Sequence, residues 1–413
     1  MRSLLLSVAV LLIGHGLQLT LLPLQAQKLG WSDAAVGFTG SAYYLGFIIG
    51  CLSITRVIAR VGHIRTFAVT VATATIAILG LALTDTYLLW LLLRLLTGWS
   101  LAGFYTVIES WLNDQAANEQ RGRLLALYTI ICLGSMALGQ MLIGLDGVTL
   151  AELFPVAGML IVGATLPVAL TTRPQPAPPV QVTFSAGVAY RASQVGFVSA
   201  GLSGLVMGLL WSLGAVHVAD VSGSIETGAR FMLAVLLGGL LVQFPAGRLS
   251  DRFDRRRVIL GLGVLGTVGV ALWFFAPAND GVLYAAGVLC GGAAQPLYSI
   301  SIAHANDNAS GQFIEISSGM LMVNGCCAML GPFLFSLLRA VGVEQAFMTT
   351  IAVAFTVCIV WTAMRMRTHA VTRDHFEPYQ PLPKTALEVV ELHTKLESED
   401  PRLDASEDPA NER

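Results

Sequence analysis

Twelve apolar runs, each long enough to cross a bilayer as a helix, divide this chain: 4–24, 34–56, 66–85, 87–111, 123–145, 153–171, 195–217, 228–249, 258–276, 281–304, 313–338 and 345–365. About 20 residues at 1.5 Å each span a hydrocarbon core of about 30 Å. In lipid every backbone N–H and C=O must be bonded within the protein, so twelve such runs dictate an all-α polytopic membrane protein. Charged residues, 12% of the chain, are half the share of about 25% usual in soluble proteins. Arg2 ahead of an apolar core, with small residues near Ala26, imitates a cleaved signal peptide. The first run nevertheless has a counterpart at 195–217, and its removal would leave one half of the chain a helix short.

That counterpart belongs to a repeat. Phe244 to Arg257 reads FPAGRLSDRFDRRR, and 192 positions earlier Thr55 to Arg65 reads TRVIARVGHIR. Asp251 falls on Ala59, Arg252 on Arg60 and Arg257 on Arg65. Gly46 pairs with Gly238 and Gly139 with Gly331 at the same offset, while Gly98 with Gly291 and Tyr105 with Tyr298 need 193. Six crossings return a chain to its starting side, so the halves run parallel about an axis along the membrane normal. The expected organisation is a six-helix bundle over 1–172, a Pro-rich cytoplasmic linker over 173–193, a second pseudo-symmetric bundle over 194–366, and an acidic, disordered cytoplasmic tail over 367–413. Arg173-Pro-Gln-Pro-Ala-Pro-Pro179 is too rich in proline to be helical. Small residues inside the runs, as in Gly46-x-x-x-Gly50 and Gly204-x-x-x-Gly208, let membrane helices approach closely.

Lys and Arg set the orientation. With the N-terminus inside, fifteen of them, among them Arg56, Arg60, Arg65, Arg121, Arg123, Arg248, Arg252, Arg255, Arg256 and Arg257, fall on the cytoplasmic side against three, Lys28, Arg230 and Arg339, outside. Both termini are expected in the cytoplasm, with the chain in the plasma (inner) membrane. A net charge of -2 excludes the basic surface of a nucleic-acid binder. The six cysteines show no metal-ligand spacing. The chain lacks G-x-S-x-G, G-x-x-x-x-G-K and H-E-x-x-H, so neither an enzyme nor a cofactor is expected, and energy must come from an ion gradient or the solute's own gradient.

Gly247-Arg-Leu-Ser-Asp251-Arg252-Phe-Asp254-Arg255-Arg256 resembles the loop motif G-x-x-x-D-R-x-G-R-R of the major facilitator superfamily of secondary transporters, with Asp254 in place of a glycine. Arg94-Leu-Leu-Thr-Gly98 resembles the family's fourth-helix motif. Glu109-Ser-Trp-Leu, Arg121-Gly-Arg-Leu-Leu-Ala126 and Leu138-Gly-Gln140 look most like its YcaD-like branch. The drug/proton antiporter signature ending in Gly-Pro is a poor match, because Gln140 follows Gly139.

The resemblance implies that helices 1, 4, 7 and 10 line a central cavity, with His15, Gln18, Arg94, Tyr105, Trp211, Gln295 and Tyr298 as candidate solute-binding residues. Gln25, Trp99, His217 and Ser299 lie on the same helices. It also implies a gate built from Arg60, Asp251, Arg252, Arg255 and Arg256, in which Asp251 faces the N-terminus of the fifth helix and gains about 0.3 to 1 kcal/mol from its dipole. Ala59 removes the second, symmetric latch. Glu109 is either an interfacial ion pair with Arg60, Arg121 or Arg123, or a proton-coupling carboxylate. Arg94 is either a cavity residue or an arginine bonded to backbone carbonyls, and His15 either a core residue or a functional one. Gln140, Gln243 and Asn324 are expected to hydrogen-bond between helices. The function expected is proton-coupled movement of a small neutral or amphiphilic solute by alternating access, by a monomer whose other partners are membrane lipid and the proton gradient. A uniporter, or a transporter-like sensor or scaffold acting through the tail, are the alternatives.

Overall fold

The computed structural model describes residues 2–115, 121–143, 145, 147–170, 176, 185–275, 279–307 and 313–368. The helices are α1 (Arg2–Lys28), α2 (Asp33–Val61), α3 (His63–Ala82), α4 (Tyr87–Gln115), α5 (Arg121–Met141), α6 (Leu150–Ala169), α7 (Gln194–Ser222), α8 (Ile225–Arg252), α9 (Arg255–Phe275), α10 (Asp280–Asn306), α11 (Phe313–Ala340) and α12 (Ala346–Thr368). Each lies on one of the twelve apolar runs. Ten are long and apolar enough throughout to cross a membrane. The other two are α5, whose apolar stretch is described over Leu127–Met141, and α10, where glycines, Gln295 and Pro296 dilute the hydropathy because the helix is buried inside its bundle.

Local chemistry fixes the ends. Ser32, Ser193, Ser224 and Asn279 accept the N–H of Ala35, Gly196, Thr227 and Val282 at 3.3, 2.8, 3.2 and 3.0 Å, capping α2, α7, α8 and α10. Gly223 ends α7 at φ 71°, in the left-handed region where a side chain is disfavoured. A short helix, Ala186–Ala192, capped by Ser185, precedes α7. This helix falls within the expected linker 173–193, after its Pro-rich stretch. The Pro-rich stretch lies outside the described residues except Gln175's successor, Pro176, and so does the tail beyond Thr368.

The two halves repeat the same neighbours. In the first, α2 packs on α4, α1 on α5 and α6, and α3 on α4 and α6. The second has the same set six helices on: α8 on α10, α7 on α11 and α12, and α9 on α10 and α12. The glycine pairs explain the closeness of these crossings. A Cβ on Gly98 would stand 1.9 Å from the carbonyl oxygen of Tyr43, and one on Gly46 1.9 Å from that of Leu95. In the second half Gly291 meets Val235 O at 2.0 Å and Gly238 meets Val288 O at 2.1 Å. The repeat read from the sequence is therefore a repeat of backbone-to-backbone contact, the close approach that membrane helices use in place of a hydrophobic drive. Outward-facing side chains such as Leu83, Leu170 and Phe275, each more than four-fifths exposed, present apolar surface to lipid.

Between the halves the principal contacts are α2 with α11 and, related by the pseudo-axis, α5 with α8. Arg2 at the start of α1 and Thr368 at the end of α12 lie on one face of the molecule, the terminus face, since twelve crossings separate them.

Candidate functional site

A cavity of about 210 Å³ lies between the two bundles. The first half supplies His15 and Leu19 from α1, Tyr43, Tyr44 and Phe47 from α2, Leu101 and Tyr105 from α4, and Thr129, Cys132, Leu133 and Met136 from α5. The second supplies Met207 and Trp211 from α7, Leu236 and Gln243 from α8, Gln295 from α10, and Leu321, Asn324 and Ala328 from α11. The wall is apolar and aromatic with a few polar tips and carries no Asp, Glu, Lys or Arg among the described residues. Such a lining suits small uncharged or amphiphilic molecules.

Four of the sequence candidates, His15, Tyr105, Trp211 and Gln295, are brought together on this wall. Leu210–Gly214 forms a π-turn in the middle of α7, a local register change of the kind found at functional sites, and Trp211 sits within it. Gln18, Arg94 and Tyr298 do not line the cavity. Gln18 stands behind His15, its Nε2 donating to His15 Nδ1 at 2.8 Å. Trp99 bonds Ser53, and His217 stacks on Phe347 with centroids 4.5 Å apart, so both also lie off it. Helices 1, 4, 7 and 10 all line the cavity, and α2, α5, α8 and α11, which were not expected there, supply more of it. The reason is the tight glycine crossings, which draw the faces of α2 and α8 inward beside α4 and α10. Tyr43 and Tyr44 had no repeat or motif signal to mark them.

The face away from the termini is closed. Gln27 of α1 bonds Asp220 of α7, Asp33 of α2 pairs with Arg339 of α11 at 3.7 Å, Ser41 donates to Met329 O at 2.9 Å, and Phe38 packs edge-on to Phe333. Gly40 allows α2 to press on Ser212 of α7, where a Cβ would come within 2.0 Å of the hydroxyl oxygen.

Arg94 is 4% exposed. Its Nε donates to Thr39 O at 3.3 Å, its guanidinium lies 4.8 Å over the Tyr43 ring, and its Nη1 has no partner. Backbone and ring contacts thus surround it, one layer behind the cavity wall. Glu109 is fully buried and accepts from the Tyr128 hydroxyl at 3.1 Å. It sits one helical turn beyond Tyr105, between the cavity and the terminus face. The side chains of Arg121 and Arg123, its expected ion-pair partners, lie outside the described residues, and Arg60 is exposed with no partner among the described residues.

The arginine-rich loop forms a network within the second half. Arg255, 1% exposed, donates to Asp307 at 2.7 Å and to Ser250 at 3.3 Å, and meets Asp251 at 3.8 Å. Asp254 accepts both the backbone N–H and the guanidinium of Arg256, at 2.9 and 2.8 Å. Burial raises the Asp254 carboxyl, but the Arg256 hydrogen bonds and the charges of Arg256 and His304 outweigh it and hold it below the usual carboxylate range. The acid standing where the motif has glycine is therefore a cap for α9 and an anchor for Arg256. Arg252 is exposed. The first-turn side chains of α5, the expected partner of Asp251, are outside the described residues. Gln243 donates to Ser299 at 2.9 Å and Asn324 to Ala200 O at 2.8 Å, both between helices. Gln140 is buried with neither amide atom bonded.

The Major Facilitator Superfamily model matches residues 4–193 and 196–393. The chain belongs to this superfamily. It is 27% identical over 328 residues to an uncharacterised MFS-type transporter of Yersinia pestis (strain Pestoides F), covering 77% of this chain and 83% of the relative. It is 28% identical over 320 residues to the uncharacterised MFS-type transporter YcaD of Shigella flexneri, covering 76% and 82%. Among solved structures it resembles a bacterial homologue of the human lysosomal transporter Spinster in an inward-facing, occupied conformation, with TM-score 0.73, 16% identity, and coverage of 91% and 98%. It also resembles the nucleoside transporter NupG, with TM-score 0.74, 14% identity, and coverage of 89% and 99%. At these identities the structures show the fold. Membership and fold together make this superfamily protein a membrane transporter.

Proposed function

We propose that the protein moves a small neutral or amphiphilic solute across the membrane by alternating access, driven by protons. The observation that carries this reading is an uncharged aromatic cavity at the interface of two pseudo-symmetric bundles, sealed on one face by contacts that cross between them. The Lys/Arg distribution assigns that sealed face to the outside and the terminus face to the cytoplasm, so the cavity is in a state closed to the exterior. Rocking about the α2/α11 and α5/α8 contacts would exchange the sealed face. Glu109 is the carboxylate suited to coupling: it is fully buried, held by the Tyr128 hydroxyl, and one turn from the wall residue Tyr105. A buried acid favours its neutral form, and loads or releases a proton when its surroundings rearrange. The loop network around Arg255, Asp251 and Asp307, with Arg252 and Arg256, braces the cytoplasmic gate from the second half, and Arg60 stands at the matching end of α2 in the first.

The test is internal pH in proteoliposomes challenged with sugars, amino acids and amphiphiles, for wild type beside Glu109→Gln. Solute-dependent proton flux that the substitution abolishes, with solute exchange retained, is the expected result. Proton flux that survives in Glu109→Gln would remove Glu109 from coupling.

A further inference from the structure

Among the hydrogen-bonding groups on the cavity wall, which include the Trp211 indole and the Tyr43, Tyr44 and Tyr105 hydroxyls, three side chains supply one donor and two acceptors. Gln295 and Asn324, both on the second half, have their amide nitrogens committed to backbone: Gln295 Nε2 donates to Val235 O at 3.3 Å and Asn324 Nδ2 to Ala200 O at 2.8 Å. Their carbonyl oxygens have no hydrogen bond among the described residues, and neither is among the atoms sealed from the cavity. The seat for Gln295 is built. A Cβ on Gly239 would stand 2.2 to 2.4 Å from three atoms of its carboxamide, so only glycine lets the amide lie against α8. On the first half His15 supplies a donor. Gln18 Nε2 can only donate, so His15 Nδ1 accepts from it, and the ring proton of the neutral imidazole resides on Nε2. That N–H makes no hydrogen bond among the described residues. His15 belongs to the cavity wall, so the wall offers a donor from α1 together with acceptors from α10 and α11.

We propose that the solute is a flat, uncharged aromatic or heteroaromatic amide, which carries a carbonyl-type acceptor and an N–H donor side by side. Its acceptor takes the His15 N–H, its donor the Gln295 and Asn324 oxygens, and its ring the aromatic wall. This rests on the transport reading of the same cavity and adds the polarity of what it carries. An ammonium or a carboxylate would meet no counter-charge on the wall and would lose its hydration uncompensated. A site built to hydrogen-bond a group rejects the analogue that lacks it, because the protein groups are then left unpaired.

The experiment is equilibrium binding to the purified full-length protein, with benzamide, N,N-dimethylbenzamide, benzylamine and benzoate as probes. Dimethylation removes the donor and keeps the acceptor. Benzamide is expected to bind about tenfold or more tighter than each of the other three, about the effect of one buried hydrogen bond. In Gln295→Met the benzamide affinity falls to that of the dimethyl compound, which itself stays within about twofold and thereby reports an intact fold. His15→Phe weakens both amides alike, since both carry the acceptor. Equal binding of the two amides by wild type, preferred binding of either charged probe, equal losses in Gln295→Met, or no binding by any probe would each overturn the inference. Failure of the transport reading is read separately: flux of other solutes by a protein without this preference sinks the amide inference alone, and amide preference without flux of any solute sinks transport alone.

Discussion

Gly40→Val should pry open the face that the structure holds closed. Gly40 is the point at which α2 of one half presses on α7 of the other. A Cβ there would stand 2.0 Å from Ser212 Oγ and 2.5 Å from Ser212 Cβ. The hydroxyl can rotate away, but Ser212 Cβ is fixed by the backbone, and carbons pack no closer than about 3.5 Å. The two helices must therefore part by about 1 Å, and the second branch of valine adds to that. Overpacking of this kind costs about 1 to 3 kcal/mol. Because the clash exists only while the two halves are in contact, the cost falls on the closed state and shifts the open-to-closed ratio by about 5- to 150-fold. The assay is the distance distribution between spin labels at Asp85→Cys and Val341→Cys, exposed positions on the closed face in opposite halves, on a background lacking the six native cysteines. Gly40→Val should move population to a longer distance while the protein remains monodisperse. An unchanged distribution in a folded variant would refute the view that this contact opens during the cycle.

Other expected outcomes follow from single contacts. Gly98→Ala, whose Cβ would meet Tyr43 O at 1.9 Å, should destabilise the protein by about 1 to 3 kcal/mol in detergent unfolding, whereas Gly134→Ala, with nothing within 4 Å, should be neutral or stabilising. Asp254→Asn should cost about 1 to 3 kcal/mol at pH 7 by removing a charge-assisted bond to Arg256. The Asp254 carboxyl is held below its ordinary value in the folded protein, so its contribution is present above the unfolded carboxylate pKa of about 3.9 and fades as pH falls through the folded value. The stability gap between wild type and Asp254→Asn should therefore close in acid, and a gap independent of pH would contradict this. Deletion of residues 370–413 should leave solute flux intact, and its loss would point to a partner-binding role for the tail.

Most of the fold was legible because lipid admits few solutions: run length alone placed all twelve helices, and the repeat offset of 192 or 193 residues placed the glycines at their crossings. The motif around Asp251 showed where an arginine-rich loop would lie. What it could not show was that Asp254 caps α9, since that depends on the turn bringing its carboxylate back onto Arg256. The site was half legible. His15, Tyr105, Trp211 and Gln295 stood out as polar or aromatic residues in apolar runs. Tyr43 and Tyr44 look the same in the sequence, and only the rotation of α2 about the Gly46/Gly98 crossing turns them inward. Tyr298 lies beyond the wall, in a small core of its own with Ala200 and Ile302, although it follows Gln295 by less than a turn. Arg94 was visible as an intramembrane charge, but its burial behind Tyr43 is a matter of side-chain packing that spacing does not encode.

The central claim is that solute passes only when the two halves exchange contacts on the closed face. Gln27→Cys and Asp220→Cys place thiols at a direct contact between the halves there, on the same background lacking native cysteines, and solute flux in proteoliposomes is measured before oxidation, after it, and after reduction. The account predicts flux that disappears when the disulfide forms and returns when it is reduced. Flux that continues through the cross-linked protein would contradict it.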